Sequence, residues 1–476
     1  MRHKSAKFKL IDNLEITAAV AEGHCIGRVD NQVVFVKFAA PGDVVDVQIV
    51  AKKKNFQEGK ILNFHKKSEK RIEPFCEHFT VCGGCKWQHL SYRDQLEFKQ
   101  QQVIDNLERI GGVEGFVVLP ILGSEKTVGY RNKLDLTFSD KAWVTTFNKH
   151  EQSESDKPKA LGFHIPGRFD KVLDVDYCHL MPSYVNEIQR GIRTFCLENQ
   201  ISFFDIITQE GLMRNLLVRC NRKDEWMVVL SFHQNDQDAI QLLMNYVKNT
   251  FKNIVSLMYV INDKRNDTLN GLEVQLFDGV PHLTETLGDK TYKIQAQSFF
   301  QTNSEQAEVL YNITKDFVGL TGSELVYDLY TGTGSIALYV ADKASKVVGI
   351  EYVEEAIIDA KENAQMNGVE NCIFFAGDMK DILTEDFISE HGKPDVVITD
   401  PPRDGMHPSV VARLLEAEPQ KIVYVSCNPA TQARDTKLLS EKYELTKIQP
   451  VDMFPHTHHV ENVALYVLRQ FLTKSD

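Results

Sequence analysis

From about residue 301 to the C-terminus, short runs of β-branched residues alternate with helical patterns, and this alternation constrains the fold more than any other feature of the chain. The expected strands are Leu325–Leu329, Lys346–Glu351, Asn371–Ala376, Asp395–Asp400, Lys421–Ser426 and Val463–Leu468, with helical periodicity between the first five. Such alternation predicts an α/β fold built on a doubly wound, mostly parallel sheet. Ligands of such sheets sit beyond the carboxyl ends of the strands, so the residues that follow each strand bear the functional information.

The first strand runs into Asp328-Leu329-Tyr330-Thr331-Gly332-Thr333-Gly334-Ser335. Two glycines two apart allow a tight turn and close approach of a ligand, but the run is not the GxGxxG of dinucleotide sites. Glu351 ends the second strand, about 20 residues on, where a carboxylate can accept hydrogen bonds from both ribose hydroxyls. Asp378 follows the third, placed for an adenine or its ribose edge. This combination resembles the class I S-adenosylmethionine-dependent methyltransferases. The fourth strand leads into Asp400-Pro401-Pro402-Arg403-Asp404-Gly405. Methyltransferases that act on exocyclic amines of bases usually carry an aromatic residue after the two prolines, and Arg403 departs from them. The fifth strand leads into Ser426-Cys427-Asn428-Pro429, a thiol at a strand end facing the expected cleft. Asp452-Met453-Phe454-Pro455-His456-Thr457-His458-His459-Val460-Glu461 then enters the last strand, its three histidines at neither of the common zinc-helix spacings.

DPPR-x-G, SCN and D-x-F-P-x-T-x-H-V-E, in this order and at these strand ends, closely resemble the RNA uracil-5-methyltransferase family. The chemistry accounts for the residue types. Carbon-5 of uracil is a poor nucleophile, and addition of a thiolate at carbon-6 converts the ring to an enolate whose carbon-5 can attack a sulfonium methyl. The resemblance implies Cys427 as nucleophile and Glu461 as the base that removes the carbon-5 proton. It also implies that S-adenosylmethionine is held by Gln301, Tyr330, Ser335, Glu351, Asp378 and Asp400. Ser335 stands where many relatives carry Asn, and its hydroxyl can still donate to the cofactor carboxylate. Phe299 and Phe300 beside Gln301 are candidates to stack on a flipped base or to fill the core.

Upstream, residues 1–63 read as closely spaced short strands broken at Gly23, Asp30-Asn31 and Pro41-Gly42. The run Glu22-Gly23-His24 … Gly27 … Val33-Val34-Phe35-Val36 … Pro41-Gly42-Asp43 resembles the TRAM domain, an OB-like RNA-binding β-barrel. Residues 64–300 read as a mixed α+β domain, and residues 301–476 as the methyltransferase domain. Tyr92–Arg109 is expected to be an amphipathic helix with Leu96, Val103, Ile104 and Leu107 on its apolar face. Asn148–Lys159 is expected to be an exposed polar loop. Cys76-x5-Cys82-x2-Cys85 and the later Cys178 supply four thiolates, which suit zinc or a [4Fe-4S] cluster, and spacing alone does not choose. The ribosomal-RNA members of the resembled family share this pattern and hold a [4Fe-4S] cluster with it. The transfer-RNA members generally lack cluster and barrel. The resemblance therefore implies 23S ribosomal RNA as substrate, with the T-loop uridine of transfer RNA as the alternative. Cys25, Cys196, Cys220 and Cys372 have no partner pattern and are expected to pack.

Composition sets the remaining bounds. No run reaches the ~20 apolar residues of a membrane span, and the N-terminus lacks a signal-peptide core. Nine cysteines in 476 residues, unevenly spread, argue against a disulfide framework. The net charge of −12 hides an asymmetry: residues 1–75 hold 14 Lys/Arg against 9 Asp/Glu, leaving −17 on the rest. A basic head suits first contact with a polyanion. The expectation is a cytoplasmic, monomeric enzyme whose partner is RNA, with no DNA or membrane partner.

Overall fold

The computed structural model describes residues 9–144 and 158–472, so 148–157 of the expected polar loop lie outside the described residues. The N-terminal strands β1 (Leu10–Ala19), β2 (His24–Val29), β3 (Gln32–Lys37), β4 (Val44–Lys52) and β5 (Phe56–Lys66) close a barrel in the order β1-β2-β3-β5-β4. Alternate residues such as Val34, Val36, Val45 and Val47 point inward and are fully buried. Gly27 is required at the β1–β2 crossing, because a Cβ there would lie 2.6 Å from the Glu15 carbonyl oxygen. The barrel is tied to the next segment by buried Asp43, which accepts from the amides of Ala40 and Ser68 and from both Nε and Nη2 of Arg71.

Helix α1 (Tyr92–Asn106) starts at an N-cap, Ser91, whose side chain accepts from the Asp94 amide. Its buried stripe is Gln95, Lys99 and Val103, continued by Leu107 in a π-helical turn, so of the expected apolar face Val103 and Leu107 are buried, Leu96 and Ile104 are half-buried, and two polar residues complete the stripe. Its terminal turn packs on the C-terminal helix α10, described below. A two-residue strand, β6 (Val117–Val118), then joins the C-terminal sheet.

A seven-stranded sheet follows, made of β7 (Lys133–Ser139), β8 (Ala160–Ile165), β9 (Arg168–Asp174), β10 (Met213–Cys220), β11 (Trp226–Phe232), β12 (Ile254–Ile261) and β13 (Val274–Gly279). Its order is β13-β12-β11-β10-β7-β8-β9, and helices α2 (Ser183–Glu198) and α3 (Gln237–Thr250) cover one face. The hairpin β14 (Leu283–Leu287) and β15 (Lys290–Ile294) buries Leu287, Tyr292 and Ile294 in the core of the C-terminal unit.

That unit contains α4 (Ser304–Val318), β16 (Leu325–Leu329), α5 (Ser335–Val340), β17 (Lys346–Glu351), α6 (Glu354–Met366), β18 (Cys372–Ala376), α7 (Met379–Ile382), α8 (Glu385–His391), β19 (Val396–Thr399), α9 (Pro408–Ala417), β20 (Lys421–Ser426), α10 (Pro429–Leu439), β21 (Tyr443–Val451) and β22 (Glu461–Leu468). The sheet order is β18-β17-β16-β19-β20-β22-β21-β6. The first five strands are parallel, and β22 runs antiparallel to both β20 and β21. Apolar clusters fill both faces, as expected of a class I methyltransferase sheet. Strand order reverses between β16 and β19, which places the ligand crevice at their carboxyl ends.

Candidate active site

One cleft of about 2160 Å³ opens at those strand ends, and every site residue expected from the sequence lines it. At its cofactor end the β16–α5 turn has Gly332 at φ 55° and Gly334 at φ 77°, values that L side chains rarely adopt. Tyr330, at the end of β16, takes φ 63° without being glycine, a strained backbone of the kind held at functional sites. Glu351 closes the turn: its Oε2 accepts from the Gly332 amide at 3.1 Å and its Oε1 from Val353 at 3.0 Å. The Ser335 hydroxyl accepts from Tyr311 at 3.0 Å, leaving its own proton to donate. Asp378 caps α7 and pairs with Lys380 at 2.9 Å. Phe300 is in the core, whereas Phe299 is 74% exposed on the cleft. The loop bearing Phe299 and Gln301 is pinned by Asp359, which accepts from Gln295 at 2.5 Å and from Ser298 at 2.6 Å, and by Asn132, which donates to the Gln301 carbonyl at 3.0 Å.

Sheet register brings Cys427 and Glu461 together. Ser426 of β20 pairs with Asn462 of β22, so the next residue of one strand faces the preceding residue of the other. Burial pushes the Glu461 carboxyl up to about 8, with Asp400 adding to it and Arg403 opposing. Asp400 is itself raised to about 7 by burial and by Asp328, and burial lifts Asp328 to about 7. Burial, Glu461 and Asp400 push the Cys427 thiol up to about 12, and Arg403 opposes them. Arg403 is held in place through its carbonyl, which accepts from Asn428 Nδ2 at 2.9 Å and Thr431 Oγ1 at 3.1 Å. A thiol, a carboxyl poised to exchange a proton near neutrality and a guanidinium thus share one crevice. The arrangement can add a nucleophile to a substrate and later take a proton from it.

The loop that delivers Glu461 is fastened chiefly by Tyr92, Gln95 and Lys99 of α1, which belong to none of the sequence motifs. Lys99 and Asp452, both fully buried, pair at 2.6 Å, and Lys99 also donates to the Phe454 carbonyl. Tyr92 donates to Asp452 at 2.9 Å, Gln95 accepts from the His456 amide at 2.8 Å, and Asn303 donates to the Met453 carbonyl at 2.9 Å. The one signal in the sequence is a Gln and a Lys at i and i+4, in line with Val103 on the buried face. Burial lowers His456 and His459 to about 4, so both stay neutral at physiological pH.

Cys76, Cys82, Cys85 and Cys178 line the same cleft, close enough that Cys178, Cys82 and Cys76 each raise Cys85. Burial raises Cys76, Cys82 and Cys178, and backbone amides oppose it: those of His78 and Phe79 at Cys76, Gly84 at Cys82, and Leu180 and Met181 at Cys178. Among the described residues no three His, Cys, Asp or Glu are arranged around a single metal ion. That finding gives no support to a zinc ion at the cysteines or at the histidine-rich loop. The all-thiol donor set does fit a larger thiolate-bound group. Cys25, Cys196 and Cys220 are buried, and Cys372 is half-buried. No helix among the described residues is long and apolar enough to cross a membrane.

Residues 13–62 match the TRAM domain, and residues 220–469 match the tRNA (Uracil-5-)-methyltransferase family. An uncharacterized RNA methyltransferase of Bacteroides thetaiotaomicron is 52% identical over 452 residues, covering 94% of this chain and 100% of that protein. One from Porphyromonas gingivalis is 54% identical over 461 residues, covering 95% and 99%. The crystal structure of Pyrococcus abyssi tRNA (uracil-54, C5)-methyltransferase in complex with S-adenosyl-L-homocysteine superposes with a TM-score of 0.74 at 30% identity, over 95% of this chain and 99% of that one. That coverage leaves too few residues outside the match to omit the barrel, so the barrel does not separate ribosomal from transfer RNA as a substrate. With its TRAM barrel, its class I sheet and matches of this extent, the chain belongs to the RNA uracil-5-methyltransferase family, as an enzyme that uses S-adenosylmethionine.

Proposed function

We propose that the protein methylates carbon-5 of a uridine in 23S ribosomal RNA through a covalent Cys427–uracil intermediate. The observation that carries this reading is the convergence of Cys427, Glu461, Asp400 and Arg403 at adjacent strand ends. S-adenosylmethionine supplies an electrophilic methyl group, and Gln301, Tyr330, Ser335, Glu351, Asp378 and Asp400 hold it. The Cys427 thiol gives its proton to solvent water in the open cleft, and its sulfur bonds to carbon-6 as the carbon-5–carbon-6 double bond gives way to the enolate. Arg403 stabilises the thiolate by charge. Carbon-5 takes the methyl as the sulfonium–methyl bond breaks. Glu461, ionised, then removes the carbon-5 proton, the carbon-5–carbon-6 double bond re-forms and the thiolate leaves.

In this reading Cys76, Cys82, Cys85 and Cys178 would hold a [4Fe-4S] cluster, which would serve to tie the cysteine loop to the central domain. The cysteine pattern supports ribosomal RNA. The likeness to the Pyrococcus abyssi enzyme favours a second reading, the same reaction on the T-loop uridine of transfer RNA. Labelled S-adenosylmethionine supplied with unmodified 23S ribosomal RNA and bulk transfer RNA in parallel, followed by nuclease mapping, tests both. Label at a ribosomal uridine is the expected result. Label in transfer RNA alone overturns the substrate and keeps the mechanism.

A further inference from the structure

The central sheet brings a wall of cations up to this cleft: Arg131 lines it, with half-buried Lys133 and buried Arg219 set back from its surface. Strands β7 and β10 pair antiparallel with Lys133 directly opposite Arg219. Side chains directly opposite share a face about 5 Å apart, and like charges there destabilise a sheet. Asp135, two residues on from Lys133, shares its side of β7, and Arg131 lies just ahead of the strand; Arg131, Asp135 and Phe299 all line the cleft. Arg219 is 2% exposed; its Nη2 donates to the Ser298 carbonyl at 3.0 Å, and its Nε has no partner. Among the described residues none of the three cations forms an ion pair within 4.0 Å. Burial lowers Arg219 to about 10 and, together with Arg219, lowers Lys133. Asp135 is the carboxylate acting on Lys133; burial lifts it to about 6, so it is ionised at neutrality and offsets part of that charge, whereas no carboxylate acts on Arg219.

A buried charge without a counter-ion costs several kcal/mol, and well-packed apolar replacements often stabilise such sites. An anion arriving at the cleft would offset that cost. We propose that Lys133, flanked by Arg131 and backed by the buried charge of Arg219, binds one backbone phosphate of the RNA strand beside the uridine being methylated. The inference rests on the reading of RNA as substrate. Lys133 makes the contact, and Arg219 acts through the potential it sets at Lys133, which makes it a positioning residue.

The test is binding of a uridine-rich single-stranded RNA to the full-length protein over a salt series, with S-adenosylmethionine affinity and thermal unfolding measured alongside. Lys133→Met should flatten the slope of log affinity against log salt by about 0.7, one phosphate contact on a single strand. Arg219→Met should weaken RNA binding without lowering the melting temperature, and Arg219→Lys, which retains the charge, should restore binding. Three results overturn the proposal. An unchanged slope for Lys133→Met, with wild-type protein binding RNA, removes the subsite and leaves the uracil reading standing. Arg219→Lys behaving like Arg219→Met shows that the Ser298 hydrogen bond, not the charge, is what matters. Loss of S-adenosylmethionine affinity in Lys133→Met assigns the wall to the cofactor. Inorganic phosphate at fixed ionic strength is the competing probe: it should compete with RNA on wild-type protein and not on Lys133→Met, and equal competition on both proteins also overturns the proposal.

Discussion

Replacing Lys99 by Met tests whether the loop that leads into Glu461 is held by a helix more than 350 residues upstream in the chain. In the wild-type protein Lys99 and Asp452 are both 0% exposed and 2.6 Å apart. Removing one member of a buried pair costs about 3–5 kcal/mol, because the other charge stays behind without compensation. Asp452 would retain two donors, Tyr92 Oη at 2.9 Å and the Phe454 amide at 3.0 Å, which places the cost near the lower end, about 3 kcal/mol. At 1.4 kcal/mol per decade this is roughly a hundredfold increase in opening of the loop. Native-state hydrogen exchange reads it directly, since local openings have their own free energies. The reporters are the amides of Phe454, bonded to Asp452, and of His456, bonded to Gln95. The double variant Lys99→Met/Asp452→Asn removes the stranded charge and should recover most of the loss. Because the loop ends at Glu461, the single variant should also accumulate covalent RNA complex. Unchanged exchange at both amides in Lys99→Met, or a double variant no better than the single, refutes the reasoning.

Cys427→Ala should form no covalent complex with 5-fluorouridine RNA and transfer no methyl group, whereas Glu461→Gln should methylate once and retain the covalent complex. Turnover at the wild-type rate by either variant removes its assigned role. Arg403→Gln should slow complex formation about tenfold, the effect of losing one neighbouring charge on a thiol; single-turnover kinetics at fixed pH check it. Asp328, Asp400 and Glu461 are raised by burial to about 7, 7 and 8, so the folded protein binds protons that the unfolded chain releases above the ordinary carboxylate range. Stability should therefore fall as pH rises from about 4 to 8, and Glu461→Gln should flatten that fall in denaturant titrations. The same ionisation favours a sulfonium over a neutral thioether, so the affinity ratio of S-adenosylmethionine to S-adenosylhomocysteine should increase across about pH 6–8. A calorimetric ratio independent of pH contradicts this.

What can be read from this sequence depends on how far away in the chain each residue's partner lies. The parallel strands are legible because a strand buried on both faces is a continuous apolar run, as in Val347, Val348 and Ile350, all 0% exposed. β21 (Tyr443–Val451) is not legible, because Glu444, Lys447 and Pro450 interrupt its pattern near the edge of the sheet and Pro argues against a strand. The same contrast runs through the site. Glu351, Asp378, Asp400 and Cys427 each stand at the end of their own strand, so a local pattern locates them. The buried face of α1 is different: Gln95 and Lys99 break the apolar periodicity because their partners, His456 and Asp452, are 361 and 353 residues downstream. Arg219 likewise reads as an ordinary strand residue until Ser298, 79 positions away, is folded against it. Local motifs therefore disclose the groups assigned to substrate and cofactor, and the groups that hold them in place emerge only from long-range packing. A polar residue at a helix position that periodicity assigns to the core is the one local sign of such a partner, and Lys99 is that sign here.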